Sequence, residues 1–313
     1  MGDTVTALPA FTAIKNNFPN AQIDLLTNKF QPGKVYINEI LPLDFFKQYF
    51  YYEKFVDRGI IRQLRLNKYD LYIEIPTYPS SIFFELRSII IAKRIYAKSG
   101  IGWHVSSDKL LRKIQQKLLT FDTNRTRLLG ILKQYQINII NTGWMLEKNS
   151  VVLPEFDTSL ILKSKTGKKG IIALVTGAGL PEKKWPMHNF ISIAKHFSTD
   201  NYLVLLIGGK QDFIACEPMA NENIINLCGK LSVLENAVIL KKCSVVVSND
   251  TGPMHLAYSV GTPVVTLFNA LDYTGKWSPP QDGHSIIIRT EKRSMEMISI
   301  DEVTSAVNHV LSA

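Results

Sequence analysis

Runs of mainly apolar residues, each followed by small or polar residues, recur in the C-terminal half of the chain. They occupy residues 170–175, 202–207 and 262–268, and a shorter run lies at residues 245–247. Short apolar runs bounded by turn residues are typical of strands that are buried on both faces, as in a parallel sheet. Residues 187–197 instead mix apolar and polar positions at helical spacing. The pattern therefore predicts alternating strands and helices, which is an α/β fold with a parallel sheet.

The run at residues 245–247 leads directly into Asp-Thr-Gly-Pro at residues 250–253 and then into a short helical pattern. Proline is favoured at the first position of a helix, so Pro253 marks a helix start. The side chain of Asp250 or Thr251 can cap the free N–H groups of that helix. We therefore expect a strand, a tight turn and a helix in this segment.

Three predicted strand ends combine small residues with cationic, hydroxyl or histidine side chains. They are residues 176–179 with Lys183 downstream, residues 208–212, and residues 250–255. Ligands of open α/β sheets bind at the carboxyl ends of the strands, and the N-terminus of a helix there favours phosphate. A nucleoside diphosphate is the ligand that this pattern favours. The alternative is that residues 250–252 form only a capped turn and that His255 is a partly buried helix residue.

The N-terminal half also alternates between strand and helix patterns, to about residue 145. Further elements are predicted at residues 69–76 (strand), 81–91 (helix), 101–103 (short strand) and 301–311 (last helix). We predict a first domain at residues 1–150, a polar linker at residues 151–169 and a second domain at residues 170–313.

Charge is distributed unevenly between the two halves of the chain. Residues 1–150 hold 21 Lys and Arg against 12 Asp and Glu, whereas residues 151–313 hold 15 of each. A basic half indicates an anionic partner or an anionic membrane surface. Residues 109–119 alternate basic and apolar side chains at near-helical spacing, so they could lie on a bilayer. An ordinary solvated helix is the alternative for that segment.

Composition narrows the class of protein. With 313 residues, of which 46% are hydrophobic, the chain can form two cores. Its three cysteines have neither paired nor metal-binding spacing, which favours reduced thiols. No apolar run is long enough to span a membrane and no signal peptide is apparent, so we expect a cytoplasmic protein. No nucleic-acid-binding module is visible, and no GxGxxG motif of a dehydrogenase follows a strand.

Two motifs together carry a family resemblance. They are Asp250-Thr251-Gly252-x-x-His255-x-Ala257, with Gly261-Thr262-Pro263 after it, and Lys183-x-Trp185-Pro186. The chain resembles glycosyltransferase family nine, which includes the ADP-heptose:lipopolysaccharide heptosyltransferases. The resemblance implies a GT-B fold, in which two Rossmann-like domains face a central cleft. Gly2-Asp3 resembles the family's opening, but no strand precedes it here, so we expect the first strand of the N-terminal sheet to be missing.

The resemblance also implies roles for individual residues. Asp3 would be the catalytic base, and Lys183 would neutralise the departing diphosphate. Thr251 and Gly252 would hydrogen-bond the same diphosphate, and Asp250 would face the donor sugar. The donor-binding residues implied in this way are Ala178, Gly179, Lys183, Asp250, Thr251, Gly252 and His255. Neither a metal nor another cofactor is implied, so we predict metal-independent, inverting transfer.

Three functions remain open from the sequence. The first is transfer of heptose from ADP-heptose to the inner core of lipopolysaccharide, an anionic glycolipid acceptor. The second is transfer from a UDP-hexose or UDP-N-acetylhexosamine to another surface glycan. The third is a non-catalytic protein that binds a nucleotide sugar or an anionic surface. The expected location is the cytoplasm, with peripheral binding to the inner face of the cytoplasmic membrane where the basic half contacts lipid, and nucleic acid is not an expected partner.

Overall fold

The structure, a computed structural model, divides into two compact units. It describes residues 1–29, 35–42, 44–53, 56–75, 82–103, 123–140, 145–149, 151–270, 277–279 and 285–313. Unit 1 contains residues 1–5, 144–147 and 151–313, and unit 2 contains residues 6–143 and 148–150. The limits predicted from the sequence for the two domains stay a prediction.

Unit 1 is built on a six-stranded sheet in which every pair of neighbouring strands is parallel. Its strands are β5 (Ile171–Val175), β6 (Leu203–Ile207), β7 (Ile224–Asn226), β8 (Val245–Asn249), β9 (Val264–Phe268) and β10 (Ser285–Arg289). Their order in the sheet is β10-β9-β8-β5-β6-β7. The chain thus builds outward from β5 in one direction and then restarts at β8 on the other side. Loops that follow two such central strands diverge and leave a crevice, which is where doubly wound sheets bind ligands.

Helices pack against this sheet, and its four central strands are buried throughout. The helices of unit 1 are α5 (Ser159–Lys165), α6 (Met187–Thr199), α7 (Phe213–Cys216), α8 (Val233–Leu240), α9 (Gly252–Ser259) and α10 (Ile300–Ser312). Phe190, Ile193 and Phe197 of α6 pack into one core cluster with Val245 and Val247 of β8. Full burial of such side chains contributes about 1.5–3 kcal/mol each. The predicted strands and the three predicted helices of this half are confirmed, with boundaries that agree to within two residues.

Unit 2 holds the remaining elements. These are most of α1 (Gly2–Asn17), β1 (Asp24–Asn28), β2 (Gln48–Tyr52), α2 (Arg58–Leu66), β3 (Leu71–Ile73), α3 (Ile82–Arg94), β4 (Ser99–Ile101) and α4 (Asn124–Gln134). Over the described residues β1 pairs with β2 and β3 pairs with β4, both in parallel, as two separate sheets. The predicted strand at residues 69–76 is thus shorter, at β3, and the strand expected at residues 101–103 ends at Ile101.

Other predicted features stay predictions or fall outside the described residues. Residues 151–169, expected to be a polar linker, include the helix α5. The basic segment at residues 109–119 lies outside the described residues. In the part of the chain that the structure describes, no helix is long and apolar enough to cross a membrane. Cys216, Cys228 and Cys243 are free and buried.

Candidate functional site

The turn between β8 and α9 lies at the centre of the sheet in unit 1. Helix α9 begins at Gly252, with Thr251 at the N-cap position and Pro253 in the first turn. The capping expected of Thr251 is wrong, because its side chain makes no cap hydrogen bond to this helix. Thr251 does not cap, and the carboxylate of Asp250 is engaged by a lysine instead. Pro253 has no N–H, and the N–H of Met254 donates to the carbonyl of Thr251 at 3.1 Å, so the N–H of Gly252 is the backbone donor that the start of α9 offers an anion.

The lysine that contacts Asp250 is Lys183, in the loop that follows β5. It ends the short 3-10 turn Pro181–Lys183, and its Nζ donates to Oδ2 of Asp250. The Lys183 side chain is 23% exposed and that of Asp250 is 8% exposed. A charge-assisted hydrogen bond between two largely shielded groups is stronger than one on the surface. The structure thus brings together two of the residues expected to bind the donor.

Two asparagines hold this loop in place through its backbone. The buried amide of Asn249 donates to the carbonyls of Thr176 (3.2 Å) and Gly177 (3.3 Å), and its Oδ1 accepts from the N–H of Trp185 (2.9 Å). Asn269 donates to the carbonyl of Glu182 at 2.6 Å. Sequence reasoning missed both asparagines. The available signal was an amide at the end of each of two apolar strand runs, where burial demands hydrogen-bond partners.

Trp185 anchors the other end of the loop. Its indole is buried, donates to the carbonyl of Ile298 at 2.9 Å, and meets the ring of Phe190 edge-on with the centroids 5.0 Å apart. The Lys-x-Trp-Pro motif therefore combines a cation for the site with an aromatic residue that fixes the loop to the core.

A second lysine–carboxylate pair lies beside the first. Lys184 Nζ contacts Oδ1 of the buried Asp212 at 3.0 Å, and Oδ2 of Asp212 accepts from the N–H of Gly209 at 2.9 Å. A Cβ at Gly177 would lie 2.5 Å from that Oδ2, so the position has no room for a side chain. Gly179 differs, because a Cβ there would meet no atom within 4 Å. The pair therefore ties the loops after β5 and β6 together, and it leaves Gly179 at the open edge of the site.

His255 lies in α9, one helical turn beyond the N-terminus. Its side chain is buried, and burial lowers its pKa from the usual 6.5 to about 4, although the nearby Asp250 acts in the opposite direction. The ring of Trp277 stands edge-on to it at 6.4 Å. Nδ1 of His255 is buried and has no hydrogen-bond partner in the described structure. At neutral pH this side chain is thus a neutral hydrogen-bonding group and not a cation.

The first residues of the chain reach the same helix end within unit 1. A Cβ at Gly2 would lie 3.0 Å from Cδ2 of His255, and a Cβ at Gly252 would lie 2.7 Å from Cβ of Met1. Asp3, the expected base, follows in the first turn of α1 and is exposed. The structure therefore brings the Gly-Asp pair next to the predicted diphosphate loop, and the two glycines are what permits this close approach.

Unit 2 contains a polar cluster that sequence reasoning also missed. Tyr72 and Ser88 both donate to the Glu74 carboxylate, and the indole of Trp103 donates to Oγ of Ser88 at 3.0 Å. The rings of Tyr72 and Trp103 stack with centroids 5.6 Å apart. Burial raises the pKa of Glu74, and the two hydrogen bonds oppose that effect only in part. Glu74 follows directly after β3, so this cluster lies at the carboxyl end of a parallel pair.

Among the described residues, no group of three or more His, Cys, Asp or Glu side chains has an arrangement that could hold a metal ion.

Comparison with known proteins decides the family. Residues 58–302 match glycosyltransferase family 9 (heptosyltransferase). The chain belongs to this family. Lipooligosaccharide heptosyltransferase 2 of Haemophilus influenzae is 25% identical to this family 9 chain, over 92% of the chain and 86% of the relative.

Solved structures agree on the fold. A glycosyl transferase of family 9 from Veillonella parvula superposes with a TM-score of 0.71 at 19% identity, covering 99% of this chain and 94% of its own. The ADP-heptose lps heptosyltransferase II of E. coli gives 0.65 at 18% identity, with 99% and 96% covered. The family 9 chain is therefore a glycosyltransferase with the two-domain, Rossmann-like fold expected from its motifs.

Proposed function

We propose that this glycosyltransferase transfers heptose from ADP-heptose to the inner core of lipopolysaccharide, with inversion at the anomeric carbon and without a metal ion. The observation that carries the proposal is the convergence in unit 1 of the Lys183–Asp250 pair, the start of α9 and the Gly2-Asp3 segment. The printed names of the relatives, heptosyltransferases acting on lipooligosaccharide or lipopolysaccharide, support the choice of sugar and acceptor.

The diphosphate of the donor binds at the start of α9. The N–H of Gly252 and the hydroxyl of Thr251 donate to its oxygens, and the positive end of the helix dipole favours its charge. Lys183 Nζ has three donor hydrogens, so it can keep its bond to Asp250 and still bind a phosphate oxygen. Ala178 and Gly179 contribute backbone contacts at the open edge, and Asp250 faces the sugar. This arrangement supplies the positive charge that a departing diphosphate requires.

Transfer needs a base on the acceptor side. Asp3 takes the proton of the attacking hydroxyl while the new glycosidic bond forms and the bond from the anomeric carbon to the diphosphate oxygen breaks. ADP leaves from the opposite face of the sugar, so the configuration inverts. Asp3 suits this role because it is exposed next to a segment that contacts α9.

The acceptor is an anionic glycolipid. The excess of nine positive charges in residues 1–150 favours its phosphates and acidic sugars. Because such an acceptor is lipid-anchored, the enzyme works in the cytoplasm at the inner face of the cytoplasmic membrane.

A UDP-hexose or UDP-N-acetylhexosamine is the competing donor. The space next to Gly179 is open, so a different sugar or base could occupy the edge of the site there. This observation supports a uridine-linked donor as the alternative. A thermal-shift panel of ADP, ADP-heptose, UDP, UDP-glucose and UDP-N-acetylglucosamine separates the donors, since a ligand that binds the folded state raises the Tm. Stabilisation by the adenine compounds supports the proposal, and stabilisation by the uridine compounds alone contradicts it. If none of the five compounds raises the Tm, the protein does not bind these donors.

The role of Asp3 is tested by Asp3→Asn in a transfer assay. We expect transfer to be abolished while ADP still raises the Tm, because the carboxylate acts on the acceptor and not on the donor. Asp301→Asn is the matched control, since Asp301 lies in the first turn of another helix, α10, and is also exposed. Turnover by Asp3→Asn at the level of the control would remove Asp3 from the mechanism.

A further inference from the structure

The outward face of α3 carries large apolar side chains. Phe83, Leu86 and Ile90 are 78%, 45% and 53% exposed. Their spacing of three and four residues places them in one line along the helix. The opposite face of α3 is buried and includes Glu85, Ser88 and Ala92. The exposed line is therefore additional to the face that α3 buries in unit 2.

Cations flank this apolar line, and exposed acids are missing from both helices involved. Lys93 and Arg94 are exposed at the end of α3, and Arg62 and Arg65 are exposed on α2. Helix α2 contains no Asp or Glu, and the one acid of α3, Glu85, is buried. The described outward faces of α2 and α3 thus carry positive charge that no acid of these two helices balances.

The two helices present one continuous surface. Ile61 and Leu64 of α2 share a core cluster with Ile91 and with Ile95 just beyond α3. At the surface, the Arg65 side chain donates to the carbonyl of Arg94.

The edge of this surface is amphipathic. The guanidinium of Arg65 lies over the ring of Tyr96, 4.6 Å from its centroid. Tyr96 and Leu66 are 71% and 76% exposed. We call this continuous face, with its exposed apolar side chains and four cations, the α2–α3 surface.

We propose that the α2–α3 surface docks on an anionic lipid bilayer. Apolar side chains on a helix that lies in the plane of a membrane enter the boundary between headgroups and acyl chains, and Lys and Arg beside them bind lipid phosphates. Tyrosine is enriched at that boundary because its ring is apolar and its hydroxyl is polar. All three kinds of side chain are present here in one surface.

The same composition disfavours a second copy of the chain as the partner. A symmetric contact would place the four cations of one copy against the four of the other, and like charges in a contact are unfavourable. The inference rests on the proposed function in one respect, because a glycolipid acceptor gives unit 2 a reason to approach the membrane. The charge and exposure of the surface are observed independently of that function.

Co-sedimentation with phospholipid vesicles tests the proposal. One vesicle preparation contains phosphatidylglycerol and phosphatidylcholine, and the other contains phosphatidylcholine alone. Neither contains donor or acceptor, so the result does not depend on glycosyl transfer. The apolar variant is Phe83→Gln, Leu86→Gln and Ile90→Gln combined, and the cationic variant is Arg62→Gln, Lys93→Gln and Arg94→Gln combined.

Two control variants alter exposed residues of unit 1 to the same kind of side chain. Val152→Gln, Ile214→Gln and Met297→Gln combined match the apolar variant, and Lys163→Gln, Lys195→Gln and Lys242→Gln combined match the loss of three charges. A Tm and an ADP-induced shift equal to those of the parent protein show that a variant is folded. A failure of ADP binding would therefore count against the proposed function, and a failure of vesicle binding against the docking surface.

We expect the parent protein to bind the anionic vesicles and both α2–α3 variants to bind them at least about tenfold more weakly. Each lost cation weakens binding severalfold, and the loss of three apolar side chains removes the area that enters the bilayer. The controls should bind like the parent, and higher salt should weaken binding. Absence of vesicle binding by the parent overturns the proposal, as does binding by the α2–α3 variants at the level of their controls. A parent protein that self-associates through these residues, shown by a lower mass for the variants in sedimentation, also overturns it.

Discussion

Replacement of Lys183 by methionine tests how the site handles negative charge. In the structure Lys183 holds the carboxylate of Asp250, and both side chains are largely shielded from water. Methionine keeps the length of the side chain but leaves Asp250 as a charge without its partner, beside the proposed diphosphate. We therefore expect Lys183→Met to remove one attraction and to add one repulsion.

The magnitude follows from the geometry. A hydrogen bond to a charged group contributes about 1.5–3 kcal/mol, which corresponds to a roughly ten- to hundredfold loss of ADP affinity. The second change, Asp250→Asn, removes the uncompensated charge in the same variant. Lys183→Met with Asp250→Asn should therefore bind ADP more tightly than Lys183→Met alone. Such a recovery is a non-additive effect, as expected for two residues in direct contact.

Calorimetric titration with ADP measures all four proteins of this cycle. Lys184→Met is the control, because Lys184 is the next residue but binds a different carboxylate, Asp212. It should lower the Tm and change ADP affinity less than Lys183→Met does. If Lys183→Met lowers only the Tm and leaves ADP affinity unchanged, Lys183 is a structural partner of Asp250 and the proposed diphosphate contact is wrong.

Three further predictions concern buried polar groups. The lowered pKa of His255 means that the unfolded chain takes up a proton between pH 6.5 and about 4 that the folded chain does not. The free energy of unfolding should therefore fall by about 2 kcal/mol from pH 7 to pH 4.5, and denaturant titrations of His255→Gln should lack this part of the pH dependence. An equal pH dependence in both proteins would contradict this. The raised pKa of Glu74 has the opposite effect on the pH dependence of stability, because stability is lost as pH rises through that pKa. Glu74→Gln should therefore raise the Tm at pH 8 and leave it without a gain at pH 4. Asn249→Ala should lower the free energy of unfolding by about 3 kcal/mol, because it leaves buried carbonyls and the Trp185 N–H without partners; a change within the error of denaturant unfolding would show that Asn249 does not hold the loop.

The four central strands of the unit 1 sheet, β5, β6, β8 and β9, were predictable because they are buried throughout, whereas the edge strands β7 and β10 were not predicted. An uninterrupted apolar run such as residues 171–175 has few alternatives once glycine and polar residues bound it. Unit 2 gave weaker signals, since β3 and β4 have three residues each and are only partly buried. Short strands of that kind depend on tertiary partners more than on their own pattern.

The parts of the site that belong to short sequence motifs were predictable. Lys183 and Asp250 each belong to a recognisable turn, but their contact joins residues 67 positions apart and required the structure. The capping prediction failed for the same reason, because a distant lysine competes for the carboxylate that would otherwise cap α9. The asparagines that hold the loop were missed, since a single amide at a strand end has no signature until its buried partners are known.

The way Asn249 and Asn269 hold the loop has a consequence for evolution and engineering. Both asparagines donate hydrogen bonds to main-chain carbonyls of the loop, at Thr176, Gly177 and Glu182. Every residue type has such a carbonyl. Side chains at positions 178–180 are therefore free to diverge without disturbing the path of the backbone. A library randomised at those three positions should retain folded members in high proportion, and it is where relatives with altered donor preference can arise without a loss of stability.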